Sequence, residues 1–212
     1  MRAQAPTHRP TWVLVLSSLM LVTSGSSLTF GLMRVQDPTS ALPIDTTKVN
    51  GSAAELQLSQ RLAAVRTTAV TPHRRALRAD AVAEIALSLF GLYATAAVLA
   101  RDRHGRRLAL AVGALVIVYR LGSLPVYLAL MRDYAEQGAE VMAEALLQNP
   151  AFHTDLTSAD LASGLKATMI KWPIIVAAVC IAGALILMAY FGGRRGKALY
   201  GLSAAPPPPR AP

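Results

Sequence analysis

Four long apolar runs, separated by polar segments of very unequal length, organise this chain. The first covers residues 11–33 and the second residues 81–100, AVAEIALSLFGLYATAAVLA. The third covers residues 108–131, LALAVGALVIVYRLGSLPVYLALM, and the fourth residues 172–192, beginning WPIIVAAVCIAGALILMAYF. At the α-helical rise, about 20 residues cross the roughly 30 Å of hydrocarbon in a bilayer. The pattern therefore predicts an all-α membrane protein with four transmembrane helices. A cleaved signal peptide is the rival reading of the first run, with its apolar part at residues 12–22 and a cut within residues 24–27. That stretch has no A-x-A-like site, and apolar character resumes as far as Met33. An uncleaved helix is the better reading.

The polar segments carry helical patterns of their own. In the first long loop, residues 34–80, Asn50-Gly51 signals a turn, and Ser52 followed by Glu55 has the form of a capping box. Leu58, Leu62, Val65 and Ala69 then recur at helical spacing, predicting a helix over about 52–70. In the second, residues 132–171, Tyr134, Val141, Met142 and Ala145 mark one helical face, while Glu136, Glu140 and Glu144 line another. Asn149-Pro150 ends that helix. Ser158 is the expected cap of a further one, in which Leu161, Leu165 and Met169 share a face. The loops differ in charge. Residues 34–79 hold seven basic and three acidic side chains, and residues 132–171 hold three and six. Complementary charge suggests that they dock as a small helical extracytoplasmic cap. Two separate amphipathic helices lying on the bilayer are the alternative.

Charge placement also orients the chain. The link at 101–107 is RDRHGRR, with four arginines in seven residues, and the fourth run is followed by GGRRGK. The positive-inside rule places both in the cytoplasm. The tail at 1–10 and the tail at 193–212, which includes APPPPRAP, then share that side. The layout resembles tetraspanins and claudins in outline, but their cysteine-based extracellular signatures are absent, so no function carries over.

Composition agrees with the pattern: 53% of residues are hydrophobic in type and 16% are charged, against about a quarter in soluble domains. The net charge of +9 does not indicate a nucleic-acid partner, because many of the basic residues flank the apolar runs instead of gathering on one groove-facing surface. The Ala- and Arg-rich composition suggests a GC-rich bacterial genome, and hence a bacterial inner membrane. Cys180 is the only cysteine; it excludes an internal disulfide, a CxxC pair and a cysteine-based zinc site, and reads as a small packing residue.

Two ionisable residues fall inside the spans, Glu84 in the second and Arg120 in the third. Charges at membrane depth are costly and need partners or water. Their depths differ by roughly 6 Å, and the short link makes the second and third spans an antiparallel hairpin. Glu84 and Arg120 are therefore expected to pair. Ser88, Gly91 and Thr95 continue a small, polar stripe below Glu84, and Gly113 and Ser123 lie near the Arg120 face, with Pro125 expected to kink the helix. Together they form a predicted polar seam between the second and third spans.

Catalytic and cofactor motifs are lacking. His8, His73, His104 and His153 all lie outside the spans, so no axial ligands are placed for an intramembrane haem. There is no HExxH, phosphate loop or dinucleotide fingerprint. Asp155 and Asp160 with His153 would make a weak metal site at best, and a capped, solvated loop is the commoner meaning. No cofactor or metal is expected. The leading expectation is a non-catalytic scaffold or accessory subunit, with other membrane subunits or further copies of itself as partners. A small-solute or ion transporter using the seam is the alternative, and a membrane enzyme with an unrecognised site is the third.

Overall fold

The computed structural model describes residues 11–42, 53–100, 102, 104–148 and 155–200. The tail at 1–10, residues 201–212, the Asn50-Gly51 turn, the Ser52–Glu55 capping box, the Asn149-Pro150 stop and His153 lie outside what it describes. Within the described residues every regular element is helical: α1 (Thr11–Gln36), α2 (Ala53–Val70), α3 (Arg74–Leu99), α4 (Gly105–Gln148), α5 (Ser158–Gly192) and α6 (Arg194–Leu199). Two short 3₁₀ turns, Pro38–Ala41 and Thr71–His73, join α1 towards α2 and α2 to α3. Four helical stretches are long and apolar enough to cross a membrane: Thr11–Gln36, Leu56–Leu99, Gly105–Leu147 and Ser158–Gly192.

Local chemistry explains where the helices stop. Past the end of α1, the Asp37 carboxylate accepts from Thr39 N at 2.9 Å and from the Thr39 hydroxyl at 2.7 Å, while Pro38 opens the following 3₁₀ turn. Pro72 lacks a backbone N–H and breaks α2 from α3. At the start of α4, a side chain on Gly105 would have its Cβ 2.9 Å from both Ala97 O and the Tyr200 hydroxyl, so only glycine permits this tight turn. The cap of α5 is Thr157, and Ser158 is instead the first helical residue. Thr157 wins because Asp160, three residues on, returns the favour: Asp160 N donates to Thr157 Oγ1 at 3.2 Å, and Thr157 N donates to Asp160 Oδ2 at 3.3 Å. Leu161, three residues after Ser158, has no acceptor to offer.

The helices are longer than the apolar runs. α3 begins at Arg74, and α4 continues without a break from the third run through Pro125 to Gln148. Residues 132–148, read from sequence as part of a separate loop, are the far half of one 44-residue helix. Polarity rises after Met131, but no proline accompanies the change and the helix continues. At 1.5 Å per residue α4 is about 66 Å long and α5 about 52 Å, well beyond a hydrocarbon core.

α1 packs on α3, α3 on α4, and α4 extensively on α5. α1 and α5, at the two ends of this series, make no extensive contact with each other. Two apolar cores result. One, at the end carrying the 101–107 link, joins Val13, Leu16 and Met20 of α1 to Ala94, Val98, Ala109, Val112, Leu187 and Phe191. Arg106 Nε donates to Phe191 O at 2.7 Å and fastens α4 to α5 there. The other core, at the opposite end, joins Leu62, Ala69 and Val70 of α2 to Leu77, Leu130, Met131, Tyr134, Ala135, Val141, Met142 and Met169. Gly138 lets α2 approach α4: a Cβ there would lie 3.1 Å from Val65 Cγ1. Between and around the cores, large side chains such as Trp12, Val22, Phe30, Val118, Val179 and Ile186 point outward.

Of the acidic face on α4, Glu144 reaches α2, with Arg61 Nη1 at 2.8 Å from Glu144 Oε2. Glu136 pairs within its own helix with Arg132 at 3.1 Å. Both pairs are substantially exposed, and such pairs contribute about 0–1 kcal/mol. Apolar burial therefore holds α2 on α4, with charge complementarity a minor addition.

Candidate functional site

Asp80 and Glu84 stand one helical turn apart on α3 and so share a face. Arg34, in the last turn of α1, and Tyr119, Arg120 and Tyr127 of α4 converge on them. Gly31 makes this convergence possible. A Cβ on it would lie 2.8 Å from Ile85 Cγ1, so glycine lets α1 run close enough to α3 for the Arg34 guanidinium to reach both carboxylates.

The hydrogen bonding is dense on one side of the cluster. Arg34 Nη1 lies 3.2 Å from Asp80 Oδ2 and also donates to the Tyr127 hydroxyl, while Nη2 pairs with Glu84 Oε2. Arg34 Nε reaches Phe30 O at 3.4 Å. The Tyr119 and Tyr127 hydroxyls donate to Asp80 Oδ2 at 3.0 and 2.8 Å. The Arg34, Asp80 and Glu84 side chains are exposed by only 9%, 7% and 5%. Two guanidinium groups face two carboxylates, so the cluster is neutral as a whole when all four are ionised. This is the arrangement in which buried charge is tolerable, because each group retains opposite charge and hydrogen-bond partners.

Arg120 is held differently. Its Nη2 lies 3.6 Å from Glu84 Oε1, its guanidinium stacks 5.2 Å from the Tyr119 ring centre, and its buried Nε has no hydrogen-bond partner among the described residues. Glu84 and Arg120 are thus neighbours, but Glu84 also pairs with Arg34. In the sequence Arg34 is one of the basic residues that flank the apolar runs, and Asp80, Tyr119 and Tyr127 do not stand out as charges within a run. Two signals were present: carboxylates four residues apart at 80 and 84, and tyrosines eight apart at 119 and 127, each pair on one helical face.

The remaining seam residues do not form a single α3–α4 strip. Ser88 and Thr95 are buried on α3, and Thr95 Oγ1 donates to Gly91 O of its own helix at 2.8 Å. Gly91 instead faces α1, where a Cβ would collide with the Ser24 side chain. Gly113 faces α5, with Met188 Cγ 2.5 Å and Ala184 O 3.3 Å from its Cβ position. Ser123 is buried and its hydroxyl lies 3.4 Å from Arg120 O, within α4. The small residues therefore bring α1 to α3 and α5 to α4. Helical spacing identifies a small face but not the neighbour it meets.

Below the charge cluster lies a cleft of about 310 Å3, to which α1, α3, α4 and α5 all contribute. Ser27, Glu84, Ser88, Tyr119 and Arg120 line its polar end. Met20, Val112, Val116, Val179 and Leu187 are among its apolar walls. Of the residues considered as a weak metal site, Asp160 is occupied by the α5 cap, and among the described residues no three His, Cys, Asp or Glu side chains gather as a metal site requires. No family model matches this chain, and no curated protein or solved structure shows significant similarity to it.

Proposed function

We propose that this chain is an integral membrane protein that serves as a non-catalytic scaffold or accessory subunit of a membrane complex. In this reading the link at 101–107 and both tails are cytoplasmic, α2 with the far halves of α4 and α5 forms an extracytoplasmic cap, and the membrane is a bacterial inner membrane. The four apolar helical stretches and the outward-pointing side chains on them support placement in lipid. The basic link and C-terminal flank support the orientation.

The observation that carries the scaffold reading is the closed charge cluster. Arg34, Asp80, Glu84 and Arg120 come from three helices and neutralise one another at one level. A proton or ion path needs ionisable groups in series across the membrane. Here the groups are gathered in one place and tie helices together. Replacing Glu84 with Gln should lower the folded yield in membranes, because it leaves Arg34 and Arg120 sharing one carboxylate. Purification in a gentle detergent should recover the wild-type chain with a stable partner subunit. Recovery of a lone oligomer that conducts a solute, with Glu84→Gln assembling normally but losing the flux, would replace this reading with the transporter alternative.

A further inference from the structure

The cluster and the cleft beneath it divide the hydrogen-bonding work unevenly. Arg34 is fully engaged by two carboxylates, a tyrosine hydroxyl and a backbone carbonyl. The Tyr119 hydroxyl is committed to Asp80. Arg120 is the exception. A guanidinium offers five N–H donors, yet its ion-pair partner among the described residues is Glu84 Oε1 at 3.6 Å, too long for a good hydrogen bond. Its Nε is buried and donates to nothing among the described residues, which leaves the Nη groups as the donors a ligand could reach. A buried donor left unmade is costly, and Arg120 lines the polar end of a cleft whose other walls are mainly apolar.

We propose that this cleft binds a neutral amphiphile whose carbonyl oxygen accepts from Arg120 and whose apolar portion extends between α1 and α5. Charge balance selects a neutral group. With Arg34, Asp80, Glu84 and Arg120 ionised the cluster sums to zero, and a bound anion would leave one net negative charge buried, which is expensive in a low-dielectric site. A carbonyl satisfies the donors without disturbing the balance. The cleft runs along α4 from Val112 to Arg120, about 12 Å at the helical rise, so the polar contact sits at one end and an apolar body occupies the rest. Its volume is at the lower end of the range for small-molecule sites, roughly 300–1,000 Å3. α1 and α5 both line the cleft without packing closely on each other, which gives an approach from the bilayer side. An ester carbonyl of a glycerolipid and a ring carbonyl of a quinone share this chemistry.

The full-length protein, purified and delipidated in detergent, separates the possibilities by equilibrium binding or native mass spectrometry. Three probes serve: a short-chain diacyl phosphatidylcholine, which is net neutral, a short-chain benzoquinone and a fatty acid at pH 8. One equivalent of either neutral-carbonyl probe should bind saturably, and whichever binds more tightly identifies the source of the carbonyl. Arg120→Met should weaken binding at least tenfold, and it leaves Glu84 paired with Arg34. Gly183→Leu gives an independent block: Gly183 lines the cleft, and a Cβ there meets no atom within 4 Å, so a side chain can be introduced at that position. It should also weaken binding at least tenfold while the protein stays monodisperse. Absence of saturable binding by both neutral probes, tighter binding of the fatty acid than of either, or unchanged binding in whichever of the two variants folds would overturn the proposal.

Discussion

At the scale of single residues, the two arginines of the buried cluster are not equivalent. Arg34 holds both carboxylates and a tyrosine hydroxyl, whereas Arg120 makes one long ion pair and a stacking contact. Removing one partner from a buried, hydrogen-bonded charge pair typically costs about 3–5 kcal/mol, because the other charge is stranded. Arg34→Met should therefore sharply reduce the folded yield in membranes, while Arg120→Met, which leaves both carboxylates paired with Arg34 but one negative charge in excess, should reduce it less. Detergent-extracted yield and size-exclusion profiles of the two variants, expressed side by side, check this; equal loss in both would show that the cluster shares its load evenly. Much of this site was legible in the sequence, since Glu84 and Arg120 stand out as charges inside apolar runs. Arg34 and Asp80 were less visible because they lie at the ends of their runs. There a charged side chain is normally satisfied by water, and only the packing of α1 on α3 shows that these two are buried.

At the scale of elements, the attachment of α2 to α4 is an apolar contact. Leu62 is 3% exposed and Ala69 is fully buried against the far half of α4, while the cross-helix pair Arg61–Glu144 is largely solvated. Leu62→Ala should loosen α2 by about 2–5 kcal/mol, the usual cost of truncating a buried leucine. Glu144→Lys should cost less than about 1 kcal/mol. Protease susceptibility of residues 56–70 in the two variants measures the difference, and greater susceptibility in Glu144→Lys would show that charge carries the contact. The apolar face Leu58, Leu62, Val65, Ala69 could be read directly from its spacing. The continuity of α4 was harder to see. From Arg132 onward the residues become polar, as in a loop, yet the only glycine before Gln148 is Gly138 and there is no proline. Composition reports what surrounds a helix, whereas the lack of breakers reports whether it continues, and the two disagree at this point.

At the scale of the molecule, the packing series α1–α3–α4–α5 makes a bundle whose first and last helices are not sealed together. With the proposed orientation, a single cysteine placed at Ala162, in a Cys180→Ser background, should react with a membrane-impermeant maleimide from outside intact cells. One placed at Ala204 should react only after the membrane is opened. The reverse pattern would invert the topology without altering the fold. The four long apolar helices were evident from the apolar runs, because each run is long enough to cross a bilayer. The order in which the spans touch was not evident, because small residues such as Gly91 and Gly113 fit closely against any helix, and only the three-dimensional arrangement assigns them to α1 and α5.

The unbroken course of α4 fixes a distance. An α-helix is nearly inextensible along its axis, since lengthening it would break its backbone hydrogen bonds. If its link end sits at one bilayer surface, about 30 Å of its roughly 66 Å lies in hydrocarbon and about 36 Å stands clear on the other side. The tip near Gln148 is then held at a set height by residue count alone, with α2 and α5 bracing it against tilt. Removing seven residues between Tyr134 and Gln148 would lower that tip by about 10 Å and turn it by only about 20°. The protein would keep its face and lose its reach, so a partner that docks at a fixed height above the membrane would register the change as one of spacing, with the contacting side chains still in place.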